Sequence, residues 1–284
     1  MSGYTNAHSG ATDTVRITDS QVHIWAADSP SRPWPAGGAA RAQRPVPFEM
    51  SDLIEEMDAG GVDRAVIVPP SWEGDRNDVA LAAAAEFPER LAVMGRITLG
   101  RPSGEDFSAW RDQPGMLGVR LTFLLGALVD DAEWFWPRAE AAGLPVMLFG
   151  PGQTEEFRDV ARRYPGLRLI IDHLNLRTGS GISDLDQTIE PLLSLSGLDN
   201  VAVKLSALPC LLGADDSFET LVPHIRRVVD AFGANRCMWG SDISRLPCPY
   251  IEWVDAGKAG LGCLSEDETI QVMGEALATW LDWP

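Results

Sequence analysis

Short apolar runs recur along the chain at intervals of about 25 to 35 residues, and most are followed by apolar positions at helical spacing. The runs are continuous and aliphatic, as expected for parallel strands that helices cover from outside. They span residues 15–24, 65–69, 91–97, 117–121, 145–149, 167–172, 201–205 and 236–240. We predict a β-strand in each of them.

The stretches between these runs predict helices at residues 51–58, 78–86, 131–142, 155–164, 184–195, 218–232 and 266–281. Gly143, Gly166 and Gly233 lie just past three of these stretches, where glycine commonly ends a helix. Strands alternating with helices form a parallel sheet, and about eight such units favour a closed barrel. The predicted fold class is therefore α/β, a single (β/α)8 TIM-type barrel over residues 15–284. Its active site is expected at the carboxyl ends of the strands.

Two segments stand outside the repeat. Residues 1–14 are polar and rich in Ser, Thr and Gly, which predicts a flexible N-terminal leader. Residues 28–47 carry five prolines and a Gly-Gly pair, so they form neither a helix nor a central strand. Because this segment follows the first strand, we expect a Pro-rich loop over the barrel mouth.

Composition narrows the class of protein. The 284 residues suit one barrel, and the net charge of −18 without a basic stripe argues against a nucleic-acid partner. There is neither a signal-peptide pattern nor an apolar run near the ~18 residues of a membrane span. The four cysteines lack Cys-x-x-Cys spacing and are expected to be thiols of a reducing compartment. We expect a cytoplasmic protein without a membrane partner.

Polar residues end several of the predicted strands, and a barrel brings those ends to one mouth. The residues are Gln21, His23, Arg120, His173, Lys204 and Asp242. Such a convergence of titratable groups predicts an enzyme.

Asp242 follows the last strand and is placed to take a proton from an attacking water, although an aspartate there also suits a helix N-cap. Gln21 and His23 are two residues apart and therefore point to the same side of their strand. A histidine there can bind metal, act as a base or stabilise an oxyanion. Asp172 and His173 are predicted to point to opposite sides, so only one of them faces the pocket.

Cations and aromatic rings complete the predicted pocket. The guanidinium of Arg120 and the ammonium of Lys204 suit a substrate carboxylate, whereas Arg96 suits structural pairing with an internal carboxylate equally well. Bulky rings near the mouth predict an apolar wall for a ring substrate. The predicted substrate-binding residues are Gln21, Trp25, Trp72, Arg120, Phe149, Asn175 and Lys204.

Four segments give the chain a resemblance to the amidohydrolase superfamily, in particular to its amidohydrolase 2 branch. They are residues 17–25, 170–174, 201–206 and 238–242. The branch includes hydrolases similar to 2-pyrone-4,6-dicarboxylate lactonase and enzymes similar to aminocarboxymuconate-semialdehyde decarboxylase. The resemblance implies a (β/α)8 barrel. It also implies that His23, His173 and Asp242 occupy positions of metal ligands.

The chain departs from the family pattern at two ligand positions. The usual His-x-His opening has Gln21 in place of its first histidine, and the fifth strand ends in Phe149 without a histidine. A neutral amide is a poor zinc ligand, so the expectation is that no catalytic metal is bound. One divalent metal, Zn or Mn, held by His23, His173 and Asp242 is the alternative.

The leading hypothesis is a metal-independent hydrolase that opens a lactone or similar cyclic ester. Asp242 acts as general base on water, and His23 and His173 stabilise the oxyanion. One alternative is a Zn- or Mn-dependent hydrolase or non-oxidative decarboxylase of the same fold, and another is a non-catalytic barrel used for binding. The expected partner is a small ring molecule, with or without a carboxylate. A homodimer is an open alternative to a monomer, because barrels of this kind often dimerise.

Overall fold

The computed structural model describes residues 16–99, 107–124, 126–213 and 216–283. The predicted leader, residues 1–14, lies outside this part of the chain. Eight parallel strands run in the order β1 to β8. They are β1 Thr18–Val22, β2 Arg64–Ile67, β3 Leu91–Gly95, β4 Met116–Thr122, β5 Val146–Phe149, β6 Leu169–Ile171, β7 Val201–Ser206 and β8 Cys237–Gly240.

Hydrogen bonds just beyond β8 bring the first and last strands together. The backbone N–H of Asp242 donates to the carbonyl oxygen of Gln21 at 2.8 Å. The carboxylate of Asp19 accepts from the N–H of Ser241 at 2.9 Å and from the Tyr250 hydroxyl at 3.0 Å. The sheet is thus a nearly closed barrel, and the predicted fold is confirmed.

Helices cover the barrel from outside, and most of them bury apolar side chains against the strands. They are α1 Met50–Gly60, α2 Asp78–Glu86, α3 Trp136–Ala141, α4 Thr154–Arg163, α5 Ile182–Leu193, α6 Leu208–Leu211, α7 Val222–Phe232, α8 Tyr250–Lys258, α9 Glu266–Ile270 and α10 Ala276–Leu281. A π-helical turn, Gln271–Glu275, joins α9 to α10. Among the described helices, none is long and apolar enough to cross a membrane.

A second apolar cluster fills the barrel interior below the mouth. Met94, Met147, Ile170 and Met238 project inward from four strands and are fully buried. Helix α10 packs against the same cluster and covers the amino-terminal end of the barrel. Because side chains fill that end, the described part of the chain leaves the carboxyl ends of the strands as the open end of the barrel.

The helix predictions need several corrections, and proline explains three of them. Helices α3 and α7 begin later than predicted, because Pro137 and Pro223 have to lie in the first turn of a helix. The segments before them, Val129–Ala132 and Phe218–Thr220, are short 3-10 helices. Helix α8 was not predicted at all, because Pro247 and Pro249 made the stretch resemble a loop. Helix α6 was not predicted, and the predicted helix 266–281 is divided into α9, the π-helical turn and α10.

The Pro-rich segment 28–47 lies beside the loops at the carboxyl ends of the strands. Arg32 donates to Glu73 at 3.0 Å, and the guanidinium of Arg44 donates to the carbonyl oxygens of Ile243 and Ser244. The segment is therefore tied to the loops after β2 and β8. All four cysteines are free, in agreement with the expectation from their spacing.

Candidate active site

A cavity opens at the carboxyl ends of the strands, where the sequence predicts the active site. Its walls combine histidines, a carboxylate and two guanidinium groups with apolar side chains. They are formed by His23, Gln43, Ser71, Trp72, Arg120, Thr122, Leu124, Phe149, His173, Leu176, Thr178, Ala207, Leu211, Asp242 and Arg245. Five residues predicted for the site from separate strands therefore do meet, together with Trp72 from the loop after β2.

Asp242 lies at the centre of the polar wall. Its backbone adopts a left-handed conformation with φ 55°, which turns the chain sharply after β8. Its carboxylate oxygen Oδ1 is 3.2 Å from His23 Nε2, and Oδ2 is 4.0 Å from His173 Nε2. Arg245 Nε is 3.5 Å from Oδ2. Among the described residues no group donates a hydrogen bond to the buried Oδ1.

His23 faces Asp242 with a nitrogen that carries no proton. Its Nδ1 is 2.5 Å from the carbonyl oxygen of Val68, and a carbonyl can only accept, so Nδ1 carries the hydrogen. Burial lowers the pKa of His23 to about 4, although the charge of Asp242 works against this shift. The imidazole is thus neutral at pH 7, and its Nε2 is an acceptor. Two acceptors, His23 Nε2 and Asp242 Oδ1, face each other across 3.2 Å.

His173 reaches the cavity because the chain turns after β6. His173, Leu174 and Asn175 all have positive φ, between 53° and 57°. His173 Nδ1 is 2.8 Å from the Ser206 hydroxyl, which can donate or accept. With Ser206 as the donor, the neutral ring carries its hydrogen on Nε2, toward Asp242. Burial lowers the pKa of His173 as well.

The turn after β6 also corrects the predicted orientation of Asp172 and His173. Asp172 Oδ2 is 3.2 Å from Arg120 Nε, and Oδ1 is 3.1 Å from Lys204 Nζ. Both Asp172 and His173 therefore project into the barrel, Asp172 in the layer below the cavity. The two-residue period of a strand does not apply here, because β6 ends at Ile171.

Lys204 and Gln21 lie in the same lower layer and do not line the cavity. Lys204 is fully buried, and its Nζ donates to Gln21 Oε1 at 2.8 Å. This bond turns the amide nitrogen of Gln21 toward His23 Nε2, at 3.4 Å. Burial opposes ionisation of Asp172, but the charges of Lys204 and Arg120 outweigh it and hold the pKa of that carboxyl below its usual range. Lys204 thus connects the arginine side of the layer to the histidine side.

Two further residues predicted to bind substrate, Asn175 and Trp25, contact other parts of the fold and do not line the cavity. Asn175 accepts a hydrogen bond from the N–H of Gly150 and donates to its carbonyl oxygen, both at 3.0 Å, which joins the chain after β6 to the chain after β5. Trp25 is buried against Trp72, with ring centroids 5.1 Å apart. Trp72 and Phe149 do form cavity walls, and the Phe149 ring lies 5.6 Å from the Arg120 guanidinium.

Sequence reasoning missed five polar residues at the cavity: Gln43, Ser71, Thr122, Thr178 and Arg245. Thr122 could have been found, because it follows Arg120 by two positions in the same strand and so points to the same side. Arg245 is three residues after Asp242. Gln43 comes from the Pro-rich segment, for which spacing gives no orientation.

The donor atoms for a divalent metal are partly in place. Two ligands of one tetrahedral zinc ion lie about 3.3 Å apart, and His23 Nε2 and Asp242 Oδ1 match this separation. Both histidines are anchored through Nδ1, as metal-bound histidines usually are. His173 is farther away, and no group of three possible ligands among the described residues is arranged as a metal site. The amide of Gln21 and the guanidinium of Arg245 also lie close to the donor atoms.

The amidohydrolase family model matches residues 18–278. The chain belongs to this family. It is 30% identical over 248 residues to the L-fucono-1,5-lactonase of Burkholderia ambifaria, which covers 82% of each chain. The protein is accordingly an enzyme of the amidohydrolase superfamily, and the alternative of a non-catalytic barrel is set aside.

Solved structures show the same fold. An amidohydrolase from Burkholderia multivorans with bound zinc is 21% identical, with a TM-score of 0.78 and coverage of 95% of this chain and 100% of that one. A candidate 2-pyrone-4,6-dicarboxylic acid hydrolase from Acinetobacter baumannii, with citric acid bound, is 20% identical, with a TM-score of 0.76 and coverage of 94% and 100%. The family match and the lactonase relative confirm the branch named from the sequence.

Proposed function

We propose that this enzyme opens a lactone ring by attack of a water molecule that bridges His23 and Asp242 from the cavity side. The observation that carries the proposal is a pair of hydrogen-bond acceptors, His23 Nε2 and Asp242 Oδ1, which lie 3.2 Å apart. Among the described residues, none donates a hydrogen bond to that Oδ1. A water is complementary to this pair, because it has two hydrogens to donate. A carboxylate held within hydrogen-bond reach of that water is a suitable general base.

The proposed reaction is hydrolysis of the ring ester. The water oxygen bonds to the carbonyl carbon, and one of its protons passes to Asp242. The carbonyl oxygen becomes an oxyanion, and its collapse breaks the bond to the ring oxygen. That oxygen takes up the proton, so the product is an open-chain hydroxycarboxylic acid. His23 acts as an acceptor in this scheme, which differs from the sequence-based expectation that it donates to the oxyanion.

His173 and Arg120 are the groups that would donate hydrogen bonds to the oxyanion and stabilise it. Both line the cavity, and Arg120 carries a permanent charge fixed by Asp172 and by Thr122. Preorganised donors of this kind supply about 3 to 4 kcal/mol each to the stabilisation of a transition state. Trp72 and Phe149 provide flat apolar walls for the ring of the substrate.

We propose that no resident metal is needed. Gln21 stands where the family pattern has a histidine ligand, and its amide is a poor zinc ligand. The charges of Arg120 and Arg245 also disfavour a cation at His23. Cytoplasmic location and a homodimer stay predictions.

A second candidate is a zinc- or manganese-dependent hydrolase or decarboxylase. It is favoured by the ligand-like separation of His23 and Asp242, and His173 would complete the ligand set. A bound metal would polarise the substrate carbonyl and lower the pKa of a bound water.

A substrate panel tests the proposal. Purified protein is offered L-fucono-1,5-lactone, other 1,5-lactones, a pyrone lactone and an aromatic hydroxycarboxylate, with acid release and CO₂ release measured separately. We expect acid release from at least one lactone, with kcat/KM of about 10⁴ M⁻¹ s⁻¹ or more. CO₂ release from the hydroxycarboxylate, without hydrolysis of any lactone, would contradict the proposal.

A further inference from the structure

A second cavity adjoins the first on the side of β3 and β4. Asp75, Arg96 and Thr98 form one wall, and Arg120 and Thr122 form the other. Arg120 and Thr122 also line the main cavity, so the two spaces are contiguous. Nothing in the proposed reaction uses Arg96.

Arg96 is held in a fixed position at the end of β3. Its backbone N–H donates to Asn77 Oδ1 at 2.7 Å, and the Asn77 amide donates back to the Arg96 carbonyl oxygen at 3.0 Å. The side chain is only 10% exposed, and its Nε is 3.5 Å from Asp75 Oδ1. Within the described part of the chain, that buried Nε makes no hydrogen bond.

The guanidinium groups of Arg96 and Arg120 converge on one neutral hydroxyl. Thr122 Oγ1 accepts from Arg96 Nη1 at 3.5 Å and also from Arg120 Nη1. Both lone pairs of the oxygen are then used, and its hydrogen is left to donate to a ligand. Among the described residues, nothing accepts a hydrogen bond from Arg120 Nη2.

The positive charges around this cavity exceed the negative charges. Among the described residues that line it, Arg96 and Arg120 are the cations and Asp75, one-third exposed, is the carboxylate. Asp172 contacts Arg120 from the layer below, where it is shared with Lys204. Burial and the neighbouring charge of Arg120 lower the pKa of Arg96 to about 10, although Asp75 works against this shift. Arg96 nevertheless stays protonated at pH 7. Two partly buried cations side by side are costly unless an anion joins them.

We propose that the cavity between Arg96 and Arg120 is an anion-binding subsite for an acidic group on the substrate. This inference rests on the proposed function and narrows its substrate class to lactones with a carboxylate or phosphate substituent. The planar forks of two guanidinium groups match the oxygens of either group, and Thr122 adds a hydroxyl donor. The subsite lies on the opposite side of the mouth from Asp242, so it positions the ring without taking part in proton transfer.

Calorimetric titration of the purified protein tests the subsite. The probes are malonate, inorganic phosphate and malonamide, the neutral analogue of malonate. We expect at least one anion to bind and malonamide not to bind, and the tighter anion identifies the group that the subsite accepts. Failure of both anions to bind, or equal binding of malonamide, would overturn the proposal.

Variants locate the binding. Arg96→Met should weaken anion binding about tenfold or more, because a charge-assisted hydrogen bond is lost, and Arg96→Lys should retain part of the affinity. Thr122→Val tests the same subsite with both charges in place and should weaken binding about threefold. Arg163→Met, which removes an exposed arginine from α4, is the matched control and should bind as the wild type. Unchanged affinity in Arg96→Met would refute the subsite.

The subsite and the proposed function fail separately. For any lactone pair that differs only by an acidic substituent, Arg96→Met should lower the acidic-to-neutral ratio of kcat/KM about tenfold. If lactones are hydrolysed but this ratio and anion affinity are unchanged, the subsite is wrong and the function stands. If no lactone is hydrolysed but Arg96→Met loses anion binding, the function is wrong and the subsite stands.

Discussion

The two sides of the barrel mouth offer a substrate different chemistry. At β1 and β8, His23 and Asp242 are proton acceptors that face each other and lack a donor between them. At β3 and β4, Arg96 and Arg120 are donors with permanent charge. In an eight-stranded barrel β4 lies opposite β8. We propose from this difference that proton transfer is confined to the wall of His23 and Asp242, whereas the opposite wall supplies charged donors to the substrate.

A single buried side chain connects the two sides. Lys204 contacts Asp172, which holds Arg120, and it contacts Gln21, whose amide faces His23. The lower layer therefore fixes the positions of the acceptors and of the cations together. Variants of each side, and of Lys204 between them, test this difference separately.

The largest expected effect comes from removal of the carboxylate on the acceptor side. Asp242→Asn keeps the size of the side chain but cannot take a proton, so kcat for lactone hydrolysis should fall about 10³-fold, with KM within about threefold. Steady-state kinetics measure both constants. Asp186→Asn, an exposed aspartate on α5, is the control and should change neither. Near-native kcat in Asp242→Asn would place the base elsewhere.

Loss of the connecting cation should act on stability. Lys204→Met leaves the fully buried Asp172 with one partner in place of two, so the free energy of unfolding should fall by about 3 kcal/mol. Denaturant unfolding followed by circular dichroism measures it. Lys258→Met, at a half-exposed ion pair on α8, should cost less than about 1 kcal/mol. Equal small losses in the two variants would show that the buried network does not hold the layer together.

A fall to mildly acidic pH should have the smallest effect of these tests, because neither side of the mouth is expected to change its charge. Burial lowers the pKa of His23 to about 4, so this acceptor stays neutral as the pH falls through 6.5, where an exposed histidine would gain a proton. The guanidinium groups do not titrate in this range. We expect kcat/KM to fall by less than about a quarter between pH 7.5 and 6.5, and we assign a further loss below pH 6.5 to Asp19, whose pKa burial raises to about 6. A twofold loss already at pH 6.5 would contradict the neutral, buried state of His23.

The barrel could be predicted because its signals are local and repeated. Most strands are short aliphatic runs, and several of them end in a polar residue, so His23, Arg120 and Asp242 could be assigned to one mouth. Helix α8 escaped because prolines precede it, and proline marks a loop as readily as a helix start.

The finer layout of the site depends on features without a sequence period. The left-handed backbone of His173 directs its ring into the cavity, and no spacing argument predicts that conformation. Lys204 and Gln21 were expected to touch substrate, yet they satisfy each other one layer below it. Tertiary contacts alone decide whether a cation binds a ligand or pairs with a neighbouring side chain.

Metal content measured together with lactone hydrolysis tests the central claim most directly. Protein purified without added metal is assayed by elemental analysis, and its lactone hydrolysis is followed with and without a chelator. Water activation by His23 and Asp242 alone predicts far less than one metal ion per chain and the same kcat in chelator. One zinc or manganese ion per chain, with hydrolysis lost to chelator and restored by that metal, would contradict it.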